Sequence, residues 1–329
     1  MFMSTSTTNG SILQVTEFIQ MGFPGIHSWQ HWLSLPLALL YLSALLANAM
    51  SFLTIWQETA LCQPMFYFLA VLALMDMDLS TTIMPRILAM LWLNAPTISL
   101  SECFFQINAI HVFVGLESSI FLCMATVVAM AFDRYVAICQ PLRYTTILTN
   151  KVVVLMGLVS SFRAAIMVFP CIVLIKRLTF CNKNIIHHTY CENMAVVKLA
   201  CSNAVINQIY GICVAFSVVM LDVGLITVSY VKILQAVFRL SSNKARTKAL
   251  GTCAAHVCAI LISYVPALFS FLTHRIGKKV SPSIHIIFAS IYLLVPPAVN
   301  PLVYGAKTKL IRDRVIFIFF SNKQTVSKK

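Results

Sequence analysis

The residues with chemistry to do are the few ionisable side chains set inside long apolar runs. Asp76 stands in VLALMDMDLS and Glu117 in VFVGLESSIF. Carboxylates in such surroundings are costly and usually functional. Two that face each other must share a cation or a proton, or sit as a neutral hydrogen-bonded pair. Arg163, in SSFRAAIMVF, also needs a partner, which the sequence does not name; a structural role is expected for it. Arg134, within the run Asp133-Arg134-Tyr135, is always charged and must either pair or face water. His111 and Arg275 offer a polarisable imidazole and a fixed cation, a combination that suits a small carboxylate. Arg275 could equally snorkel to lipid headgroups. No nucleophile–base pair or metal-ligand cluster occurs at useful spacing, so an enzyme is not expected. His187-His188 with Cys191 could hold a metal, but a disulfide is the stronger use of that cysteine.

Most of the chain must exist to hold these groups in lipid. Of 329 residues, 59% are hydrophobic and only 10% charged, too apolar to cover a soluble domain. Runs of about 20 apolar residues are long enough to cross a bilayer. Seven such spans are predicted: Leu33–Trp56, Pro64–Leu91, Phe104–Ile138, Val152–Ile175, Val205–Phe238, Ala249–Thr273 and Ile284–Tyr304. They imply an all-α seven-transmembrane helix bundle occupying residues 33–304. An external N-terminal segment, 1–32, precedes it, and a cytoplasmic interfacial helix and tail, 305–329, follow. The N-terminus shows no signal-peptide pattern, so the first span is expected to act as its own insertion signal.

The net charge of +14 would point to nucleic acid in a soluble protein. Here it reports orientation, and no nucleic-acid partner is expected. With the N-terminus outside, 15 Lys and Arg fall on the inner side and seven on the outer, as the positive-inside rule requires. The one N-x-[ST] sequon, at Asn9, then lies outside as a glycosylation site. Cys103, Cys181, Cys191 and Cys201 map to the outer loops, where disulfides persist. Four cysteines allow three connectivities.

Several stretches resemble the rhodopsin-type G-protein-coupled receptors, and among them the olfactory receptors. They are PMFYFLAVLALMD from Pro64, MAFDRYVAIC over Met130–Cys139, Ser229-Tyr230, KALGTCAAH from Lys248 and PPAVNPLVYG from Pro296. HTYCENMAVVKLAC, THRIG and YGAKTKLIRDRV are similar to the class I, fish-like, members. The resemblance covers nearly the whole chain. It implies a plasma-membrane receptor that binds small odorants and activates a stimulatory, olfactory-type heterotrimeric G protein. No cofactor is implied beyond a bound sodium ion, with Asp76 as ligand and Glu117 as a second. It pairs Cys103 with Cys191 and Cys181 with Cys201, the former holding a loop as a lid. Asp133, Arg134 and Tyr135 become the coupling motif, with Tyr230 and Tyr304 as its partners. Asn300-Pro301 becomes a hinge, because proline removes one backbone bond. The ligand would sit in the outer half, between spans three, five, six and seven. His111, Met194, Tyr264, Phe271 and Arg275 are the expected lining, although Met and aromatics also fill ordinary cores. Lys307–Phe320 is expected to lie along membrane lipid. A cation or proton transporter built on Asp76 and Glu117 is the alternative, and the absence of inverted repeats counts against it.

The chain also departs from that pattern. Cys103 and Arg134 are 31 residues apart, against about 25 in the family, with the surplus in CMATVVAMAFDRY. Six extra helical residues add about 9 Å and about 600° of rotation. The third helix must therefore project deeper, bulge or shift, and weakened coupling is expected. Gly251, where Ser is usual, and Ser263, where Phe is usual, are smaller departures.

Overall fold

The computed structural model describes residues 15–23, 30–58, 64–138, 150–181, 183–239, 242–276, 282–307 and 311–313. Seven of its helices are long and apolar enough to cross a membrane. They are α1 (Gln30–Gln57), α2 (Pro64–Leu93), α3 (Leu100–Ile138), α4 (Asn150–Lys176), α6 (Val205–Phe238), α7 (Asn243–Ile276) and α8 (Pro282–Lys307). A five-residue helix, α5 (Asn193–Val197), precedes α6. The predicted spans fall within these helices. Each helix satisfies its backbone internally, which lipid demands, and internal prolines such as Pro85, Pro170 and Pro266 are tolerated there. Outward faces are apolar: Leu158, Phe162 and Phe169 of α4 are more than 60% exposed, a surface suited to acyl chains rather than water.

The inner faces bury several hydrophobic clusters, three of them large. Phe68, Leu72, Phe121, Met124 and Tyr304 fill one half of the bundle. Leu79, Ile83, Ile87, Ile110 and Leu293 fill the other. Phe18, Ile107, Phe180, Ile186 and Val196 seal the end beyond it.

That seal contains strands that an all-helical reading did not anticipate. β1 (Glu17–Gln20) lies between β2 (Thr97–Ser99) and β3 (Ile185–Ile186) in a three-stranded sheet. β1 pairs antiparallel with β2 and parallel with β3, placing Phe18 opposite Ile98 and Ile19 opposite Ile185. Burial alternates along β1, so Phe18 points into the seal with 0% exposure and meets the ring of Phe180 at 5.4 Å. The chain then turns at Gly22, whose φ of +66° suits a residue without Cβ.

α3 runs unbroken over 39 residues to Ile138. The surplus between Cys103 and Arg134 is thus absorbed as helix length. The interfacial helix expected over Lys307–Phe320 falls mostly outside the described residues; within it, 311–313 are helical and Ile311 is buried.

Candidate functional site

Beneath the sheet lies a cavity of about 320 Å³ bounded by α3, α4, α6, α7, Tyr292 of α8 and the loop from Tyr190 to Met194. The loop is tied down covalently. Disulfides join Cys103 to Cys191 and Cys181 to Cys201, with Cα atoms 5.5 and 5.9 Å apart. Gln106 of α3 adds a polar clamp: its Oε1 accepts from the Cys191 backbone N–H at 2.9 Å, and its Nε2 donates to the Thr82 carbonyl of α2 at 3.1 Å. Glu192 caps α5, accepting from the Ala195 N–H at 2.6 Å, and so presents Met194 to the cavity. Tyr190 is 1% exposed, and burial pushes its phenol well above the usual range, so it stays neutral.

His111, Met194, Tyr264 and Phe271 all line this cavity. His111 Nδ1 lies 2.7 Å from the Ile107 carbonyl, which fixes that nitrogen as a donor and leaves Nε2 for a ligand. Phe271 packs edge-on against Phe216 of α6, ring centroids 6.0 Å apart. Arg275 lies in the last turn of α7, but its side chain is outside the described residues. The cavity also differs from expectation in one wall: α4 contributes Arg163, Ala164, Met167 and Val168.

Arg163 enters because α6 supplies its missing partner. Its Nη2 donates to Asp222 Oδ1 at 2.5 Å, and Asp222 is completely buried. The Ser118 hydroxyl donates to Asp222 Oδ2, and Tyr264 does so at 2.9 Å. Four helices thus meet on one carboxylate. Asp222 was missed in the sequence, although a mid-span acid in VVMLDVGLIT is the same signal that singles out Asp76.

Asp76 and Glu117 are both buried, at 1% and 7% exposure. Asn300 Nδ2 donates to Asp76 Oδ2 at 3.1 Å, and Asn300 also engages Glu117. The Asn300 Oδ1 is buried with no hydrogen-bond partner. Two carboxylates and an orphan carbonyl oxygen form an all-oxygen donor set of the kind hard cations take. Pro301 follows within α8.

Towards the end away from the sheet, the Tyr230 hydroxyl meets His256 Nδ1, linking α6 to α7, and the His256 ring lies 6.1 Å from that of Tyr304. Asp133, Arg134 and Tyr135 lie in the last turns of α3, but their side chains are outside the described residues, as is the whole of Asn9.

The comparisons with known proteins agree with this architecture. A family model described as "Olfactory receptor" matches residues 37–323. Olfactory receptor 52J3 of Homo sapiens is 47% identical over 94% of this chain and 98% of its own length. Olfactory receptor 52P1, also human, is 47% identical over 96% of each chain, and human olfactory receptor 52B2 is 48% identical over 97% of each. With seven spans, a lidded cavity and a match over almost its entire length, the chain belongs to the olfactory receptor family of odorant-binding G-protein-coupled receptors.

Proposed function

We propose that this receptor binds small hydrophilic odorants, carboxylic acids foremost, and raises cAMP through a stimulatory heterotrimeric G protein. The observation that carries the reading is the cavity itself. Its wall is largely apolar, and His111 Nε2 is left for a ligand near the lid. Arg275, on the last turn of α7, supplies a cation for an acid headgroup. The N-terminus and lid face outward, where disulfides persist, and the Lys/Arg bias supports this orientation. Asp133-Arg134-Tyr135 then lies on the cytoplasmic side for the G protein, with Tyr230, Tyr304 and the Asn300-Pro301 hinge as its switch. A sodium ion would be held by Asp76 and Glu117, with the orphan Asn300 Oδ1 as a third oxygen. When bound, it would supply a charge that neutralises the buried acids. Lys309, Arg312 and Arg314 suit contact with anionic lipid.

The test is cAMP in cells co-expressing the chain with an olfactory-type G protein. Short acids, alcohols and aldehydes are applied, and surface level is read in parallel. A short acid is expected to give a dose-dependent rise that Arg134→Ala abolishes. Arg275→Ala should raise the half-maximal concentration about tenfold or more, the loss of one charge-assisted pair. A response confined to alcohols and aldehydes, indifferent to Arg275→Ala, would overturn the acid reading.

A further inference from the structure

The acid reading uses the lid end of the cavity and gives Arg163 and the serines beside it no role. Arg163, Ser118, Ser119 and Tyr264 border the cavity floor, under walls of Val114, Met167, Val214 and Leu268. Arg163 is not fully engaged. One Nη2 proton goes to Asp222, and Nη1 lies 3.5 Å from the Ser119 hydroxyl. Its Nε is buried without a hydrogen-bond partner, while the side chain as a whole is 17% exposed. A guanidinium carries five N–H donors, so donor capacity remains at the cavity edge. Glu117, elsewhere on the cavity wall, accepts from the Ser263 hydroxyl at 3.4 Å.

Charge decides what this floor can take. Arg163 is already neutralised by Asp222, and Glu117 adds acid rather than base. A second anionic group would therefore meet no free cation. A neutral hydroxyl fits: its oxygen accepts from Arg163, and its proton has the serine hydroxyl oxygens of the floor to meet. The distance sets the chain length. Ser118 lies seven residues beyond His111 on α3, about 10 Å along the helix axis. An extended chain of tetrahedral atoms advances about 1.2 Å per bond, so about eight bonds join the two ends.

We propose that the floor around Arg163, Ser118 and Ser119 is a second polar subsite that selects linear acids of about six to eight carbons bearing a terminal hydroxyl. The proposal rests on the acid reading for its headgroup alone.

The experiment compares octanoate, terminally hydroxylated octanoate, octanedioate, octanol and octanediol on the full chain, by cAMP with surface level in parallel. Hydroxyoctanoate is expected to act at a concentration on the order of tenfold lower than octanoate, the worth of one well-made buried hydrogen bond. Octanedioate should be weaker than both. Arg163→Lys, which keeps a cation for Asp222 but loses the fork, should collapse the gap between hydroxyoctanoate and octanoate. If that variant does not reach the surface, the ligand series on the unaltered receptor still decides. Equal potency of octanoate and hydroxyoctanoate, or no response to either hydroxylated ligand, overturns the subsite. Octanediol matching hydroxyoctanoate, both exceeding octanol, would uphold the floor while removing the acid headgroup. Octanoate matching hydroxyoctanoate, both far above octanol, would do the reverse.

Discussion

The fully buried Asp222 carboxylate accepts from Arg163, Ser118 and Tyr264, so one side chain joins α3, α4, α6 and α7. A buried ion pair is weak evidence of net stability, but breaking one side of it strands a charge. Asp222→Ala should therefore cost about 3 kcal/mol. The double change Arg163→Met with Asp222→Leu should recover most of that loss. Thermal unfolding of the purified receptor checks both, and equal losses in the single and double variants would refute the coupling. This pair shows where reading the chain alone stopped. Arg163 was legible as a cation in need of a partner, because an isolated charge in lipid has to be resolved. Its partner lies 59 residues away on another helix, and only helix packing chooses among the available acids. The lining residues were more legible: His111 and Tyr264 face the cavity, and seven apolar runs had already fixed the helices that carry them.

Helical phase also separates two acids on α2. Asp76 and Asp78 are two residues apart, about 200° around the helix, so when Asp76 faces Asn300 the other must face away. Asp78 is exposed, and among the described residues it makes no ion pair. It sits near mid-span, twelve residues after Phe66 and fifteen before Leu93 (78 − 66; 93 − 78). A carboxylate at that depth costs about 2.5–3.5 kcal/mol on insertion scales. Asp78→Leu should accordingly raise the surface level of the receptor, read by antibody on unpermeabilised cells. A fall instead would mean that another transmembrane helix answers the charge. At the sheet end, the turn after β1 depends on Gly22. Its φ of +66° strains any other residue, and a Cβ there would lie 3.0 Å from the Met90 methyl. Met90 ends flexibly and can give way, so the backbone term decides. Gly22→Ala should lower stability by about 1–2 kcal/mol, seen as an earlier thermal midpoint, and an unchanged midpoint would refute it. The sheet itself escaped sequence reading because strands of two to four residues carry too short an alternation to register, and their pairing is set by a loop fixed through disulfides.

At the scale of the whole receptor, the length of α3 sets how the ligand end and the coupling end are related. Cys103 is pinned to the lid by its disulfide, and Glu117, Ser118 and Phe121 lie in the bundle interior. The near half of α3 is therefore locked in register. From Cys103 to Arg134 the unbroken helix advances about 46 Å, well beyond a hydrocarbon core of about 30 Å. The surplus accumulates at the far end, carrying Asp133-Arg134-Tyr135 about 9 Å further out and about 240° round from where a helix six residues shorter would leave them. Binding and coupling should then respond separately to a change in this length. Deleting Ala125–Met130 is expected to leave the half-maximal odorant concentration within about twofold, because the α3 residues that line the cavity, Ile110 to Phe121, precede the cut and the other lining residues sit on other elements. The maximal cAMP response per receptor at the surface should rise, because the deletion withdraws Arg134 by about 9 Å along the helix and restores the spacing from Cys103 that the resemblance implies. A maximal response that stays level or falls would mean that the long helix already meets its G protein, and that the added turns are part of how this receptor couples.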